Sequence, residues 1–125
     1  MKKGKLIKMI KIGIFGGGGY IGSAIAGRLK DKFEVEIFDL KQPILNLPDV
    51  TFRACEIRKI AEVEKCVEKV DAVIHTAIIQ IPLITEQKRL GYEVNYLGTQ
   101  NVCEAVHNSK TTKGLILSSS WHTIG

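Results

Sequence analysis

The sequence predicts a doubly wound α/β/α domain of three layers, with a parallel sheet of about five strands in the order 3-2-1-4-5. Three observations carry this expectation. Strands and helices alternate as β-α-β-β-α-β-α-β, with no internal repeat and no low-complexity linker. The first strand runs directly into four glycines and then into a helix start, in Ile10–Ser23, IKIGIFGGGGYIGS. The second strand ends on an acid, Asp39, 17 residues beyond Gly22.

Each element has its own warrant. Residues 1–7 read as a basic lead-in and 8–125 as the domain. Strand one takes up near Lys8 and ends at Phe15. Helix one begins at Gly19–Tyr20 and runs to Lys30; Tyr20, Ile21, Ala24, Ile25 and Leu29 recur at helical spacing and are expected to form its buried face. Phe33–Leu40 alternates and is rich in β-formers, which makes it strand two, ending at Asp39. Pro43 and Pro48 bracket a loop, because proline lacks a ladder donor and restricts the residue before it. Val50–Cys55 is a short third strand. Ile60, Val63, Val67 and Val70 mark an amphipathic helix over Ile57–Val70, and Ala72–His75 follows as a buried strand. A third helix spans Glu86 to His107, with Gly91 and Gly98 as possible interruptions. Gly114–Leu117 is strand five, leading into Ser118-Ser119-Ser120.

Composition excludes several classes. The 125 residues suffice for one domain, with 45% apolar and 25% charged residues, ordinary for a globular protein. The net charge of +5 comes from Lys2, Lys3, Lys5, Lys8 and Lys11; the remaining 13 basic residues balance 13 acidic ones. This is read as a basic frayed terminus, and no nucleic-acid partner is expected. Lysines followed by an apolar run imitate a signal peptide, but glycines interrupt that run and cleavage would discard the glycine motif. The run is too short for a bilayer span, so a cytoplasmic protein with no membrane partner is expected. Cys55, Cys66 and Cys103 are odd in number and widely spaced, and are expected to be reduced and mostly buried.

The glycine stretch has a defined chemistry. Gly16, Gly19 and Gly22 fall at G-x-x-G-x-x-G spacing directly after a strand. One allows the tight turn, one lets the backbone approach a pyrophosphate, and one lets helix and strand pack closely. The helix N-terminus would direct free N–H groups at the phosphates. Asp39 stands where a carboxylate accepts both hydroxyls of an adenosine ribose and repels a 2′-phosphate. NAD is therefore favoured over NADP, with Lys41 nearby as the opposing charge.

With these motifs in register, the chain resembles the N-terminal part of the extended short-chain dehydrogenase/reductase family, the NAD-dependent epimerases and dehydratases. The resemblance runs from Lys11 to Gly125. It implies a Rossmann-like fold and a nucleotide-sugar or related hydroxyl/carbonyl substrate. GGGGYIGS resembles TGGxGFIGS, which implies that the backbones of Tyr20 and Ile21 meet the pyrophosphate. Leu40 follows the ribose acid. CEIRK at Cys55–Lys59 resembles GDIRD, which puts Glu56 and Ile57 at adenine-contacting positions. DAVIHTA at Asp71–Ala77 resembles DxVxHxAA, the strand whose end borders the cofactor and supplies Thr76, Ala77 and Ile78. YEVNYLGTQNV resembles the helix that carries the family's structural Asn, here Asn95. LSSSWHTIG at Leu117–Gly125 resembles SSSxxVYG, implying Ser118 beside the cofactor and Ser120 as the catalytic serine.

The departures are specific. Phe15 replaces a Thr whose hydroxyl helps fix the glycine turn, Glu56 replaces Asp, Ile78 replaces a small residue, and Ile124 replaces the Tyr of VYG. The family's Tyr-x-x-x-Lys pair is absent: Tyr20, Tyr92 and Tyr96 are followed four residues on by Ala24, Tyr96 and Gln100. That lysine is what makes a phenol of pKa near ~10 acidic enough to exchange a proton at neutral pH. The expectation is therefore an NAD-binding half, inactive without the Tyr-Lys region. The alternative is a non-catalytic NAD-binding module or sensor.

The other candidates are weaker. His75, His107 and His122 lack an i,i+4 partner and clustered carboxylates, so no metal site is expected. His75 is expected to end a buried strand, satisfied by local backbone. His122, on the loop with Ser120, would lack an orienting acid, and Trp121 is read as packing. A sheet ending at strand five exposes a buried-type edge, so a homo-oligomer or a covering partner is expected.

Overall fold

The computed structural model describes residues 8–120. The lead-in 1–7 and the positions of Trp121, His122 and Ile124 lie outside the described residues. Five strands form one parallel sheet in the order β3-β2-β1-β4-β5: β1 Lys11–Phe15, β2 Glu34–Asp39, β3 Thr51–Ala54, β4 Ala72–His75 and β5 Gly114–Leu117. The expected order is the observed one.

Central strands in such a sheet are covered on both faces, so they read as near-continuous apolar runs rather than alternating ones. Accordingly Ile12 to Phe15 of β1 are all buried. On one face, Ile12, Ile14, Val35 and Ile37 pack under helix α1, Tyr20–Leu29, through Ala26. On the other, Phe15, Phe38 and Val73 pack under α2, Ile60–Val67, and α5, Thr99–Asn108. Glu36 is the buried exception in β2; Lys11 Nζ at 3.6 Å and Arg53 Nη2 at 3.5 Å offset its charge.

Three expectations are corrected. Strand one begins at Lys11, and residues 8–10 carry no regular structure. The fully buried residues of α1 are Gly22, Ser23 and Ala26, with the expected Ile25 and Leu29 half-buried against the same cluster, whereas Tyr20 and Ile21 are exposed and Ala24 also faces solvent. The helix docks so closely that small residues line its contact, and the larger apolar side chains of its first turn lie at its open end. The helix expected over Ile57–Val70 is shorter at both ends, because Lys59 is extended (φ −105°, ψ 102°) and Ile57 turns into the core instead.

The last helix differs most. A short turn α3, Leu83–Glu86, ends at Gln87 (φ −126°, ψ 68°); helix resumes as α4, Lys88–Tyr92, passes through a π-helical stretch Glu93–Gly98, and continues as α5. Neither Gly91 nor Gly98 interrupts it. Gly98 instead lets the helix approach Ile57, whose Cγ2 would lie 2.8 Å from an added Cβ.

Candidate functional site

The C-terminal ends of β1, β2 and β4 open onto a crevice of about 620 Å³, at the point where strand order reverses. Its size is that of a small-molecule or cofactor site, and its position is where open α/β sheets hold ligands.

The floor is the glycine turn. Gly16 leaves β1 with φ +79°, and an added Cβ there would lie 2.5 Å from the Ala77 nitrogen; both facts demand glycine. Gly16 N–H donates to Phe38 O at 3.0 Å, and Gly19 N–H to Gly16 O at 3.1 Å. A Cβ on Gly22 would strike the Gly16 carbonyl, so the first turn of α1 lies against the loop. Ser23, fully buried, donates its hydroxyl to Gly17 O at 2.8 Å. From the opposite strand end, Thr76 Oγ1–H and N–H both donate to Phe15 O at 2.8 Å. These hydroxyls fix the turn although residue 15 is Phe and brings none. No side chain caps α1 at Gly19 and no acid stands in its first turn, which leaves the N-terminal N–H groups for an anion.

Asp39 is set by backbone alone. Its Oδ2 accepts Gly18 N–H at 2.9 Å, and its Oδ1 accepts Leu40 N–H at 2.6 Å and Lys41 N–H at 3.3 Å. The carboxylate thus lines the crevice in one orientation beside the glycine turn.

The wall beyond β4 is held from the helix. Asn95 in the π-helical stretch accepts Ile79 N–H at 2.7 Å and donates from Nδ2 to Ile79 O at 2.9 Å. Both faces of its amide serve the loop that carries Thr76, Ala77 and Ile78 along the crevice. Asn95 itself is not in the lining, so its place is behind the wall. The extra residue per turn in a π-helical stretch is a recurring feature of such sites.

Glu56 and Ile57 form the far wall. Arg58 binds the Glu56 carboxylate through Nε at 3.0 Å and Nη2 at 2.9 Å, and reaches Glu93 through Nη1 at 3.0 Å. The Arg58 guanidinium holds the Glu56 carboxyl below the usual carboxylate range, and Arg89 and Arg58 do the same for Glu93. The Glu56 N–H is already taken by Glu62 Oε2 at 2.7 Å. The chain therefore ties the β3–α2 loop to the helix through a residue type that sequence reading assigned to a ligand.

Of the residues singled out in the sequence, Gly16, Gly19, Tyr20, Ile21, Gly22, Asp39, Leu40, Glu56, Ile57, Thr76, Ala77 and Ile78 all line this crevice. Ser118 and Ser120 do not. Both are exposed past β5, where Ser118 N–H continues the ladder to His75 O at 3.1 Å. His75 is corrected in detail: its Nε2 lies 2.8 Å from Thr99 Oγ1 instead of on local backbone, and Nδ1 is buried without a hydrogen-bond partner among the described residues. Burial alone pushes its pKa down to about 4. The sequence reading gave no role at the crevice to Gly18, Cys55, Arg58, Gln80 or Glu93. Gly18 was visible within the glycine run. Cys55 and Arg58 flank Glu56 in one motif, whereas the part of Glu93 depends on its meeting Arg58 across 35 positions, for which no local spacing exists.

Sheet order and helix placement together define a Rossmann-type α/β domain. Residues 12–125 match the model of the NAD dependent epimerase/dehydratase family, and the chain belongs to that family. It is 32% identical over 108 residues to the human sterol-4-alpha-carboxylate 3-dehydrogenase, decarboxylating, covering 86% of this chain and 28% of that protein. It is 31% identical over 120 residues to UDP-glucose 4-epimerase of Rickettsia rickettsii, covering 85% of this chain and 35% of that protein. A variant of uronate dehydrogenase from Agrobacterium tumefaciens, solved with NAD, superimposes with a TM-score of 0.77 at 24% identity, over 94% of this chain and 43% of that one. The chain thus spans about a quarter to a third of the length of curated relatives it matches. No described helix is long and apolar enough to cross a membrane.

Proposed function

We propose that this chain binds NAD in the crevice and is the cofactor-binding portion of an NAD-dependent oxidoreductase of the short-chain dehydrogenase/reductase type. Asp39 carries the reading: a carboxylate fixed by three backbone N–H groups next to an uncapped helix N-terminus suits a ribose diol joined to a pyrophosphate. Tyr20 and Ile21 would offer N–H groups to the phosphates, Ile57 and Glu56 would flank the adenine, and Thr76, Ala77 and Ile78 would border the nicotinamide half. Asn95 would act through Ile79. When bound, NAD supplies a hydride acceptor at a carbon of its nicotinamide ring.

The proposed substrate is a nucleotide sugar or a related hydroxyl/carbonyl compound, with Ser120 holding its reacting oxygen. The Tyr-Lys pair that exchanges the proton in the family is not in this sequence, and the isolated chain is proposed to bind without turning over. The names of the relatives range from a sterol acid to a nucleotide sugar, which supports the hydroxyl/carbonyl class more broadly than the sugar. A cytoplasmic location fits this chemistry.

The test is thermal. Millimolar NAD should raise Tm in proportion to the logarithm of its concentration above Kd. No shift with NAD, NADH, NADP or NADPH removes the proposal. Turnover of a nucleotide sugar by the isolated chain would overturn its inactivity, and binding without turnover in any longer form would favour a sensor module.

A further inference from the structure

We propose that Gly18 is a specificity-determining residue: it clasps the β2–β3 loop to the glycine turn and so fixes Asp39 in an orientation that accepts a ribose 2′-hydroxyl and turns away a 2′-phosphate. The proposal rests on NAD binding in the crevice and concerns how NAD is selected over NADP there.

The turn itself does not require Gly18. It lies outside the Gly16, Gly19, Gly22 spacing, and among the glycines of the described residues Gly16 alone has a positive φ. What demands glycine here is a close approach. Three parts of the residue meet the end of β2 and the loop that follows it. Its N–H donates to Asp39 Oδ2 at 2.9 Å. Its carbonyl accepts the Ile44 N–H at 3.3 Å. Its bare Cα faces the Lys41 carbonyl, with which an added Cβ would collide, and that Cβ would also stand 2.8 Å from Asp39 Oδ2. Asp39, Lys41, Gln42 and Ile44 all line the crevice, so Gly18 sets how far this wall stands from the turn.

The three bonds to Asp39 are not equivalent. Leu40 and Lys41 donate to Oδ1 and follow Asp39 in the chain, so they travel with it. Among the described residues Gly18 is the only donor that reaches Asp39 from another part of the fold. That bond stops the carboxylate from turning about its own side chain. Lys41 is the only basic residue in the lining among the described residues. A carboxylate free to turn could swing clear of a 2′-phosphate and leave it to the Lys41 ammonium. A fixed one keeps its charge against the phosphate. An alanine at position 18 meets backbone, not the end of a flexible side chain, so turn and loop must part. Asp39 then keeps its charge and loses its orientation, which separates selection by orientation from selection by charge alone.

Titration calorimetry with NAD and NADP compares the unsubstituted protein with Gly18→Ala and Gly19→Ala. In Gly18→Ala the ratio of the NADP Kd to the NAD Kd should fall about 10-fold, although Asp39 is untouched. In Gly19→Ala the added Cβ meets the Gly16 carbonyl oxygen at 3.5 Å and neither Asp39 nor the loop, so that ratio should hold even where both cofactors bind more weakly. A Gly18→Ala protein in which both Kd values change by one factor overturns the proposal, as does equal narrowing in Gly19→Ala. Amide exchange in the unsubstituted protein relies on no variant's fold. The Gly18 N–H should be protected and should slow further with NAD; exchange at the rate of an unstructured peptide would overturn the clasp. If the unsubstituted protein binds neither dinucleotide, NAD binding is overturned and this inference with it, whereas bound NAD with an unchanged ratio removes this inference alone.

Discussion

Asp39 accepts the backbone N–H of Gly18 through Oδ2 at 2.9 Å, so the carboxylate closing β2 is oriented by the glycine turn that follows β1. The N–H groups at the open end of α1 and the Asp39 oxygens, which we propose meet the pyrophosphate and the ribose of NAD, are thereby positioned as one unit. Asp39→Ala removes the acceptor and leaves three N–H groups without their partner. NAD affinity should fall by about 10- to 100-fold, from roughly 1–3 kcal/mol for a lost charged hydrogen-bond set. Titration calorimetry checks this, and the preference for NAD over NADP should narrow in parallel.

His75 makes stability depend on pH with a definite sign. Its pKa is about 4 in the folded protein against 6.5 for the free side chain. Between these values the unfolded chain binds more protons, so stability falls as pH drops through the window. The loss is absent above the upper value, complete below the lower one, and roughly 3 kcal/mol in size. Denaturant midpoints across this range measure it. His75→Gln, which cannot titrate but can still meet Thr99 Oγ1, should flatten that part of the profile.

Asn95→Ala should destabilise the chain by about 1–3 kcal/mol, because Ile79 loses a donor and an acceptor together. Asn95→Asp keeps the acceptor for Ile79 N–H and should fall between. If Asn95 acts through the wall, the NAD Kd measured well below Tm should rise less for Asp than for Ala.

Ser23→Ala leaves the Gly17 carbonyl without its buried hydroxyl partner and should lower stability by about 1–2 kcal/mol. Since Gly17 belongs to the glycine turn of the proposed NAD crevice, NAD binding should weaken too, whereas an exposed change such as Glu104→Ala should leave the affinity unchanged.

β5 pairs with β4 alone among the described residues, and Ile116 and Leu117 are 64% and 45% exposed. An open parallel edge with apolar side chains favours association, so light scattering should find concentration-dependent self-association of the isolated chain, and Ile116→Lys should reduce it. A monomer at all concentrations would remove this expectation.

Most of the architecture was legible because it rests on local periodicity. Short β-forming runs, apolar or alternating, located all five strands, and the short crossovers left the observed sheet order as the expected one. Helix α1 shows where periodicity misleads: Tyr20 and Ile21 fit an apolar stripe, yet Gly22, Ser23 and Ala26 are what the sheet covers. Spacing reports which residues share a face, and the distance between helix and sheet decides which face is inside.

The sequence by itself determined the sheet order, the glycine turn and the acid at the end of the second strand, since each follows from residues near one another along the chain. Tertiary structure alone decided what those residues touch. Arg58 reaches Glu93 across 35 positions, Asn95 holds Ile79, and Thr76 steadies the turn that Phe15 cannot. Such contacts are made between elements that only the packed sheet brings together, and a side chain's partner depends on distance in space, which local patterning does not encode.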